Sequence, residues 1–172
     1  GMMLPVTGYF QEGIMGGKPK KPAFDLTDLP VRHGASYPGD FNAVCEGREK
    51  RALGDAAGLK NFCVNHVILP PGVASAHRHW HMKQDELIYV VEGELVLVTN
   101  AGEQVLGVGM AAGFPAGVAD GHMLVNRSDR RAVYLEVGDR TAGDAVDYPD
   151  IDLALTNGPE GRAFKHKDGT PY

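Results

Sequence analysis

The stretch HRHWHMKQDELIYVVEGE, residues 77–94, combines the polar and apolar patterns that decide the fold. His77, His79 and His81 occupy alternate positions in it. Glu86 follows shortly afterwards and opens an apolar run. Because residues two apart on a β-strand point to the same face, we expect the three imidazoles to share one side. That side is either a polar strand surface or half of a metal site.

The spacing of the histidines and Glu86 favours a metal site. Metal–nitrogen bonds of about 2.0–2.1 Å require ring nitrogens to lie close together, and two imidazoles at positions i and i+2 of a concave face meet that requirement. If the strand that begins at Glu86 runs antiparallel to the histidine strand, its carboxylate folds back beside the imidazoles as a third ligand. Imidazole suits divalent iron, manganese, nickel, copper or zinc, and a carboxylate favours the harder ions. Spacing alone leaves open which two of the three histidines bind.

The rest of the chain is divided into short segments by 23 glycines and 11 prolines, which favours strands and turns over long helices. Strands are predicted within residues 61–72, 75–81, 86–99, 103–117, 121–128 and 130–139. Glu92-Gly93 is interpreted as a hairpin turn, because glycine accepts the positive φ of a chain reversal, and one helical turn is predicted before Gly58. This series of short strands predicts an all-β barrel or sandwich. The predicted divisions are an N-terminal arm packing on the barrel (1–59), the barrel (60–138) and a C-terminal extension (139–172).

Composition and charge argue against several functional classes. A chain of 172 residues suggests one domain, and its formal net charge of −5 lacks the basic footprint of a nucleic-acid-binding protein. No apolar segment approaches the ~20 residues that a membrane span requires. The N-terminus lacks the charged start and apolar middle of a signal peptide. With Cys45 and Cys63 as the two cysteines, we expect reduced thiols and a cytoplasmic protein.

Residues 72–93 resemble the first signature of the cupin family. That signature is a glycine, a short gap, His-x-His, three or four residues, a glutamate, six residues and a glycine. In this chain it is Gly72, six residues, His79-x-His81, four residues, Glu86, six residues and Gly93. The resemblance implies that His79, His81 and Glu86 are the metal ligands among the candidates of this stretch.

A second stretch resembles the second cupin signature, which is a glycine, five residues, Pro-x-Gly, two residues, a histidine, three residues and an asparagine. Here Gly109 precedes Pro115-x-Gly117, and His122 and Asn126 follow. The gap before His122 is two residues longer than the signature, so the loop must bulge there. The resemblance implies that His122 is the fourth ligand and approaches the ion from another strand.

The phrases HWHMKQDELIYVVEGE, GFPAG and FKHKDGTPY also resemble a group of small bacterial single-domain cupins of unassigned activity. The resemblance implies a cupin double-stranded β-helix, or jelly-roll barrel, with irregular N- and C-terminal extensions. It further implies one divalent transition metal, Fe, Mn, Ni or Zn, and a homodimer. The candidate pocket-lining residues are His77, Tyr89, Phe114, Asn126 and Tyr134.

Several functions are compatible with a site of three histidines and one glutamate. Such a set leaves one or two positions open on a six-coordinate ion, as a catalytic metal requires. We therefore expect a single-domain cupin that binds or transforms a small oxygenated metabolite, as a metal-dependent dioxygenase or isomerase if it is an enzyme. The alternatives are a sensing or binding module without turnover, and a metal with a purely structural role.

Overall fold

The computed structural model describes residues 22–172 of the chain, so the predicted N-terminal arm lies partly outside the described residues. The strands are β1 (Arg32–His33), β2 (Glu49–Ala52), β3 (Phe62–Leu69), β4 (Trp80–His81), β5 (Glu86–Glu92), β6 (Leu95–Thr99), β7 (Gly102–Leu106), β8 (Ala111–Phe114), β9 (Met123–Val125), β10 (Ala132–Asp139), β11 (Ala145–Tyr148), β12 (Leu153–Gly158) and β13 (Gly161–Lys165). The helical segments are α1 (Leu53–Ala56) and the 3-10 turns Leu26–Asp28 and Gly39–Cys45. The predicted all-β class is confirmed, and α1 is the helical turn expected before Gly58.

The strands form three antiparallel sheets. Six strands pair in the order β1-β2-β3-β10-β5-β8, three in the order β7-β6-β9, and four in the order β13-β12-β11-β4. Isolated bridges from Ala74 to Val125 and from His79 to His122 tie the segment before β4 to β9. The first two sheets and this segment enclose the region that holds the predicted ligands.

The main core lies between the six-stranded and the three-stranded sheets. Alternate residues of each strand point inward, as the period of two requires. The buried members are Val67, Leu69, Ile88, Val90, Leu95, Leu97, Leu106, Leu124, Ala132 and Tyr134. Each large apolar side chain of this set contributes roughly 1.5–3 kcal/mol on burial, which holds the two sheets face to face.

A second core joins the two extensions. Val146, Tyr148, Leu153 and Leu155 are buried on β11 and β12, and Tyr37 packs on them from the N-terminal arm. The C-terminal extension therefore carries three strands, more regular structure than its turn-rich sequence indicates. On the N-terminal side, β2 pairs with β3 and extends the six-stranded sheet. The predicted division of the chain at residues 59/60 and 138/139 stays a prediction.

The predicted hairpin at Glu92-Gly93 is wrong, although both flanking strands are present. β5 pairs with β8 and β10, whereas β6 pairs with β7 and β9, so the turn carries the chain from one sheet to the other. Gly93 has a φ of 76°, and a Cβ built there would lie 2.6 Å from the carbonyl oxygen of Arg131. Glycine thus marks the reversal correctly, but local sequence does not specify which strand each side of the turn will join.

The predicted strand over residues 75–81 is also shorter than expected, because its regular pairing is confined to Trp80–His81. Both cysteines, Cys45 and Cys63, are free, as the sequence predicts. Within residues 22–172, no helix has the length and apolar character that a membrane crossing demands.

Candidate metal centre

The four predicted ligands converge around one carboxylate oxygen. Oε2 of Glu86 lies 3.3 Å from Nε2 of His122, 3.5 Å from Nε2 of His81 and 3.9 Å from Nε2 of His79. His79, His81 and Glu86 form a group whose possible ligand atoms all lie within 4.8 Å of one another. The four side chains are at most about one-fifth exposed, so the cluster is largely shielded from solvent.

Backbone pairing brings these residues together from distant parts of the chain. His79 and His122 exchange two backbone hydrogen bonds, of 3.1 Å and 2.9 Å. Glu86 opens β5 and pairs with Phe114 of β8. The Phe114 ring stacks on the imidazole of His122 with a centroid distance of 3.5 Å. The residues that β-pairing places side by side are therefore the ones whose side chains meet.

Hydrogen bonds on the far side of two rings orient the Nε2 atoms toward Glu86. Nδ1 of His79 contacts the carbonyl oxygen of His77 at 2.8 Å, and Nδ1 of His81 contacts Oδ2 of Asp144 at 2.6 Å. The backbone N–H of Lys83 donates to the other oxygen of Asp144. Partners of this kind fix the tautomer and orientation of metal-binding histidines. The arrangement leaves Nε2 of both rings available as a ligand atom.

Electrostatics favour an anionic glutamate in this cluster. Burial opposes ionisation of Glu86, but hydrogen bonds from His122 and His81 outweigh it and hold the pKa of Glu86 well below its usual range. Burial lowers the pKa of His79 to about 4. Burial also disfavours a charged His81, but hydrogen bonds to Glu86 and Asp144 outweigh this effect and raise its pKa to about 9. These groups bind metal as an ionised carboxylate and a neutral imidazole, so Glu86 and His79 already have the binding form, whereas His81 would release a proton on binding metal.

The separations from the Glu86 carboxylate fit a divalent transition metal, whereas His122 lies outside the group of ligand atoms that are all within 4.8 Å of one another. Two atoms that are each about 2.1 Å from one ion lie roughly 3.0–4.2 Å apart for bond angles between 90° and 180°. The three separations from Glu86 Oε2, between 3.3 and 3.9 Å, fall within this range. Three imidazole nitrogens with one carboxylate oxygen suit Fe, Mn, Ni or Zn.

The cluster opens into a cavity of about 490 Å³, a volume typical of small-molecule sites. Ile88 and Leu124 form apolar walls from the barrel. The N-terminal arm contributes residues 32–37, and the C-terminal extension contributes Asn157 and Arg162. Both extensions thus form walls of the cavity rather than only covering the outside of the barrel.

Two of the five predicted pocket residues, Phe114 and Tyr134, line this cavity. His77 does not line the cavity. Its Nε2 contacts the backbone carbonyl oxygen of Phe41 at 2.8 Å, and its ring packs edge-on against the Phe41 ring. His77 therefore anchors the N-terminal arm, and only its carbonyl oxygen contacts a candidate ligand, His79.

Tyr89 and Asn126 also lie away from the cavity lining. Tyr89 is 44% exposed, because it points to the opposite face of β5 from Ile88. Asn126 is fully buried, and its amide donates to the carbonyl oxygens of Leu69 and Arg130. Asn126 thus stabilises the turn that follows β9.

Sequence reasoning did not identify several polar residues of the cavity. Asp144 is buried directly before β11, and Glu136 lies within an apolar strand that reads as core. The basic side chains of Arg48 and Lys50 precede the first predicted strand. For Glu136 the sequence offers one weak indication of a place in the cavity. Alternation along β10 puts it on the same face as the inward-facing Tyr134.

Comparisons with known proteins agree with this architecture. A family model described as a cupin domain matches residues 65–138, which include all four candidate ligands. The crystal structure of a cupin-superfamily sugar phosphate isomerase from Silicibacter pomeroyi is 46% identical, with a TM-score of 0.85 over 88% of this chain and 96% of that one. The chain belongs to the cupin superfamily. No curated protein matches the sequence.

More distant solved structures share the fold alone. A structure from Acidithiobacillus ferrooxidans is 24% identical, with a TM-score of 0.74 over 89% of this chain and 97% of that one. The polyketide cyclase RemF from Streptomyces resistomycificus is 21% identical, with a TM-score of 0.56 over 68% of this chain and 78% of that one. The cupin barrel that the sequence signatures imply is thereby confirmed.

Proposed function

We propose that this cupin is a metal-dependent isomerase of phosphorylated sugars, with His79, His81, Glu86 and His122 as its metal ligands. The observation that supports the proposal is the cavity itself. A cluster of metal-ligating side chains and a set of basic side chains open into the same space of about 490 Å³. A sugar phosphate carries the two matching groups, a carbonyl with neighbouring hydroxyls and a dianion.

The charges of the cavity favour an anionic ligand. Its basic residues are Arg32, Arg48, Lys50 and Arg162, and its acidic residues are Glu86, Glu136 and Asp144. All three carboxylates already have cationic or hydrogen-bonding partners inside the protein. A phosphate entering this space therefore meets an excess of positive charge, and guanidinium groups bind phosphate with paired hydrogen bonds.

Among residues 22–172, neither Arg48 nor Arg162 of the cavity forms an ion pair with a carboxylate. Arg48 donates to the backbone carbonyl oxygens of Gly34 and Ser75, which ties the N-terminal arm to the segment before β4. The guanidinium carbon of Arg162 lies 5.5 Å from the centroid of the Phe164 ring. Contacts of this type position a guanidinium and leave its charge available to an anion.

The Silicibacter pomeroyi relative, described as a sugar phosphate isomerase, supports the same substrate class for this chain. When bound, a divalent metal acts as a Lewis acid that polarises a carbonyl oxygen. The protein's own contribution is to orient the imidazoles through His77 and Asp144 and to place apolar side chains such as Ile88 and Leu124 along the walls.

The metal part of the proposal is tested with two histidine variants. We expect purified protein to contain about one transition-metal ion per chain by elemental analysis, as a single site with this donor set requires. His81→Ala removes an Nε2 atom that faces Glu86 and should abolish stoichiometric metal. His77→Ala removes a side chain that contacts Phe41 and should retain it. Equal metal loss in both variants would show that the ligand assignment is wrong.

The substrate part is tested by incubating metal-loaded protein with aldohexose 6-phosphates and aldopentose 5-phosphates and following ketose formation. Arg162→Gln should raise KM roughly 10–100-fold, the value of one charged hydrogen bond of about 1.5–3 kcal/mol. Arg127→Gln is the matched control, because Arg127 pairs with Glu103 on the exposed surface. Saturable binding without turnover would instead support a sensing module, and oxygen consumption with catechols would support a dioxygenase.

A further inference from the structure

Glu136 is a carboxylate of the cavity that does not belong to the metal cluster. In the pairing of β5 with β10, Gly138 lies opposite Glu86 and Glu136 lies opposite Ile88. Glu136 and Glu86 are therefore diagonal neighbours on the inner face of the sheet, and such positions lie about 7–8 Å apart. This is a separation between backbone positions, and both side chains extend into the same cavity, so the two carboxylates can face neighbouring atoms of one substrate.

Two neighbouring strands hold the Glu136 carboxylate in place. Nζ of Lys50 on β2 lies 2.7 Å from Oε2, and the amide of Asn65 on β3 donates to the same oxygen at 3.1 Å. The Glu136 side chain remains 22% exposed, and it lines the cavity. A carboxylate that is held in place by polar contacts and lines the cavity is positioned to reach a substrate that binds there.

The other acidic or phenolic groups of the cavity are less suited to this role. Glu86 and Asp144 are both engaged with the imidazole of His81. Burial raises the pKa of the cavity's three tyrosines, Tyr37, Tyr134 and Tyr148, above the ordinary value, so none of their phenolates is accessible at neutral pH. Glu136 is thus the carboxylate of the cavity whose partners lie outside the metal cluster.

We propose that Glu136 is the catalytic base that moves a proton between C2 and C1 of the sugar phosphate, an inference that rests on the proposed isomerase function. Its Oε1 takes the proton from C2 of the open-chain aldose. The electron pair of that C–H bond forms the C1=C2 double bond of an enediol, and O1 takes up a proton. Glu136 then returns its proton to C1, while O2 loses a proton and becomes the ketone oxygen. The net change moves two hydrogens and needs no oxidant or reductant.

The test compares Glu136→Gln with wild-type protein in D2O. Proton transfer through a carboxylate lets solvent deuterium exchange onto the base, so NMR of the wild-type product should show deuterium at the carbon that receives the proton. Glu136→Gln should lower kcat by about 10²–10⁴-fold with KM unchanged, the usual contribution of a general base. Glu136→Asp should recover part of this loss. Glu103→Gln is the control, because it also removes an ion-paired carboxylate but lies outside the cavity.

A binding readout separates loss of chemistry from loss of structure. Glucitol 6-phosphate has no carbonyl, so Glu136→Gln should bind it, measured by calorimetry, as tightly as wild type and carry the same metal content. Suppose that the wild-type protein is active. If the Glu136→Gln variant then keeps the wild-type kcat, or if the wild-type product stays free of deuterium over many turnovers, the role of Glu136 as the base is wrong, while the isomerase function stands. Wild type inactive on every sugar phosphate would overturn both.

Discussion

Asp144 determines how His81 presents its Nε2 atom to Glu86. Its two oxygens have separate tasks: Oδ2 contacts Nδ1 of His81 at 2.6 Å, and Oδ1 accepts the backbone N–H of Lys83 at 2.8 Å. Both contacts fix the carboxylate in one orientation. The side chain is buried, so no solvent molecule can replace either acceptor without rearrangement.

We predict that Asp144→Asn weakens metal binding about 10–100-fold, as is usual for the partner of a metal-binding histidine. An asparagine has one acceptor oxygen and one donor amide, so it can accept from Lys83 or from His81 but not from both. Affinity is measured by competition with a chromophoric chelator. Asp147→Asn is the control, because Asp147 contacts Trp80 and Lys167 outside the cavity. Equal affinities for Asp144→Asn and wild type would contradict the positioning role.

The histidines were predictable from sequence in a way that Asp144 was not. Alternation along a strand is a local property, so the side shared by His79 and His81 follows from their spacing. Asp144 lies 63 residues beyond His81, and nothing in its own neighbourhood marks it as a partner. Glu136 likewise meets Lys50 only after three strands have paired. Contacts of this kind depend on sheet order, which short-range patterns do not encode.

At the level of secondary structure, the crossing between β5 and β6 shows the same limit. Both strands were predicted, but β5 joins the six-stranded sheet and β6 joins the three-stranded one. The chain can make this crossing because Gly93 adopts a φ of 76° beside the backbone of Arg131. Two sheets that are covalently linked by so short a turn must pack closely, which brings Ile88 and Leu97 into one core.

We predict that Gly93→Ala lowers the free energy of unfolding by more than Gly58→Ala does. The two glycines have φ values of 76° and 73°, but a Cβ at Gly93 meets the Arg131 carbonyl oxygen at 2.6 Å, whereas Gly58 has open space around it. The two variants share the cost of the strained backbone, so their difference isolates the steric clash, which we expect to add about 1–3 kcal/mol. Urea denaturation measures both values. Equal losses would mean that the turn moves freely away from β10.

At the level of the whole molecule, the extensions supply most of the basic side chains that line the cavity. The cupin-domain match covers residues 65–138 and contains the candidate ligands, but Arg48, Lys50, Asp144 and Arg162 lie outside it. The metal cluster is thus built by the barrel, and the basic walls are built by the segments on either side. Substrate preference is therefore expected to vary with these segments even where the ligand set is unchanged.

We propose that the protein is a homodimer that pairs through the outer face of β5. Leu87, Tyr89 and Val91 alternate with buried residues and are 46%, 44% and 44% exposed, so within residues 22–172 they form an apolar stripe without a cover. Light scattering should give twice the chain mass of 18.4 kDa. Leu87→Asp with Val91→Asp should reduce the mass to that of one chain, because each charge would be buried at the interface.

The control for this prediction places the same charges on a different apolar surface. Val105 and Val108 are 59% and 65% exposed near the β7–β8 connection, away from the outer face of β5. Val105→Asp with Val108→Asp should therefore leave a dimer intact, while matching the β5 variant in added charge. A dimer that survives the β5 substitutions but separates with this pair would move the interface to the three-stranded sheet. A wild-type mass of one chain would overturn the homodimer.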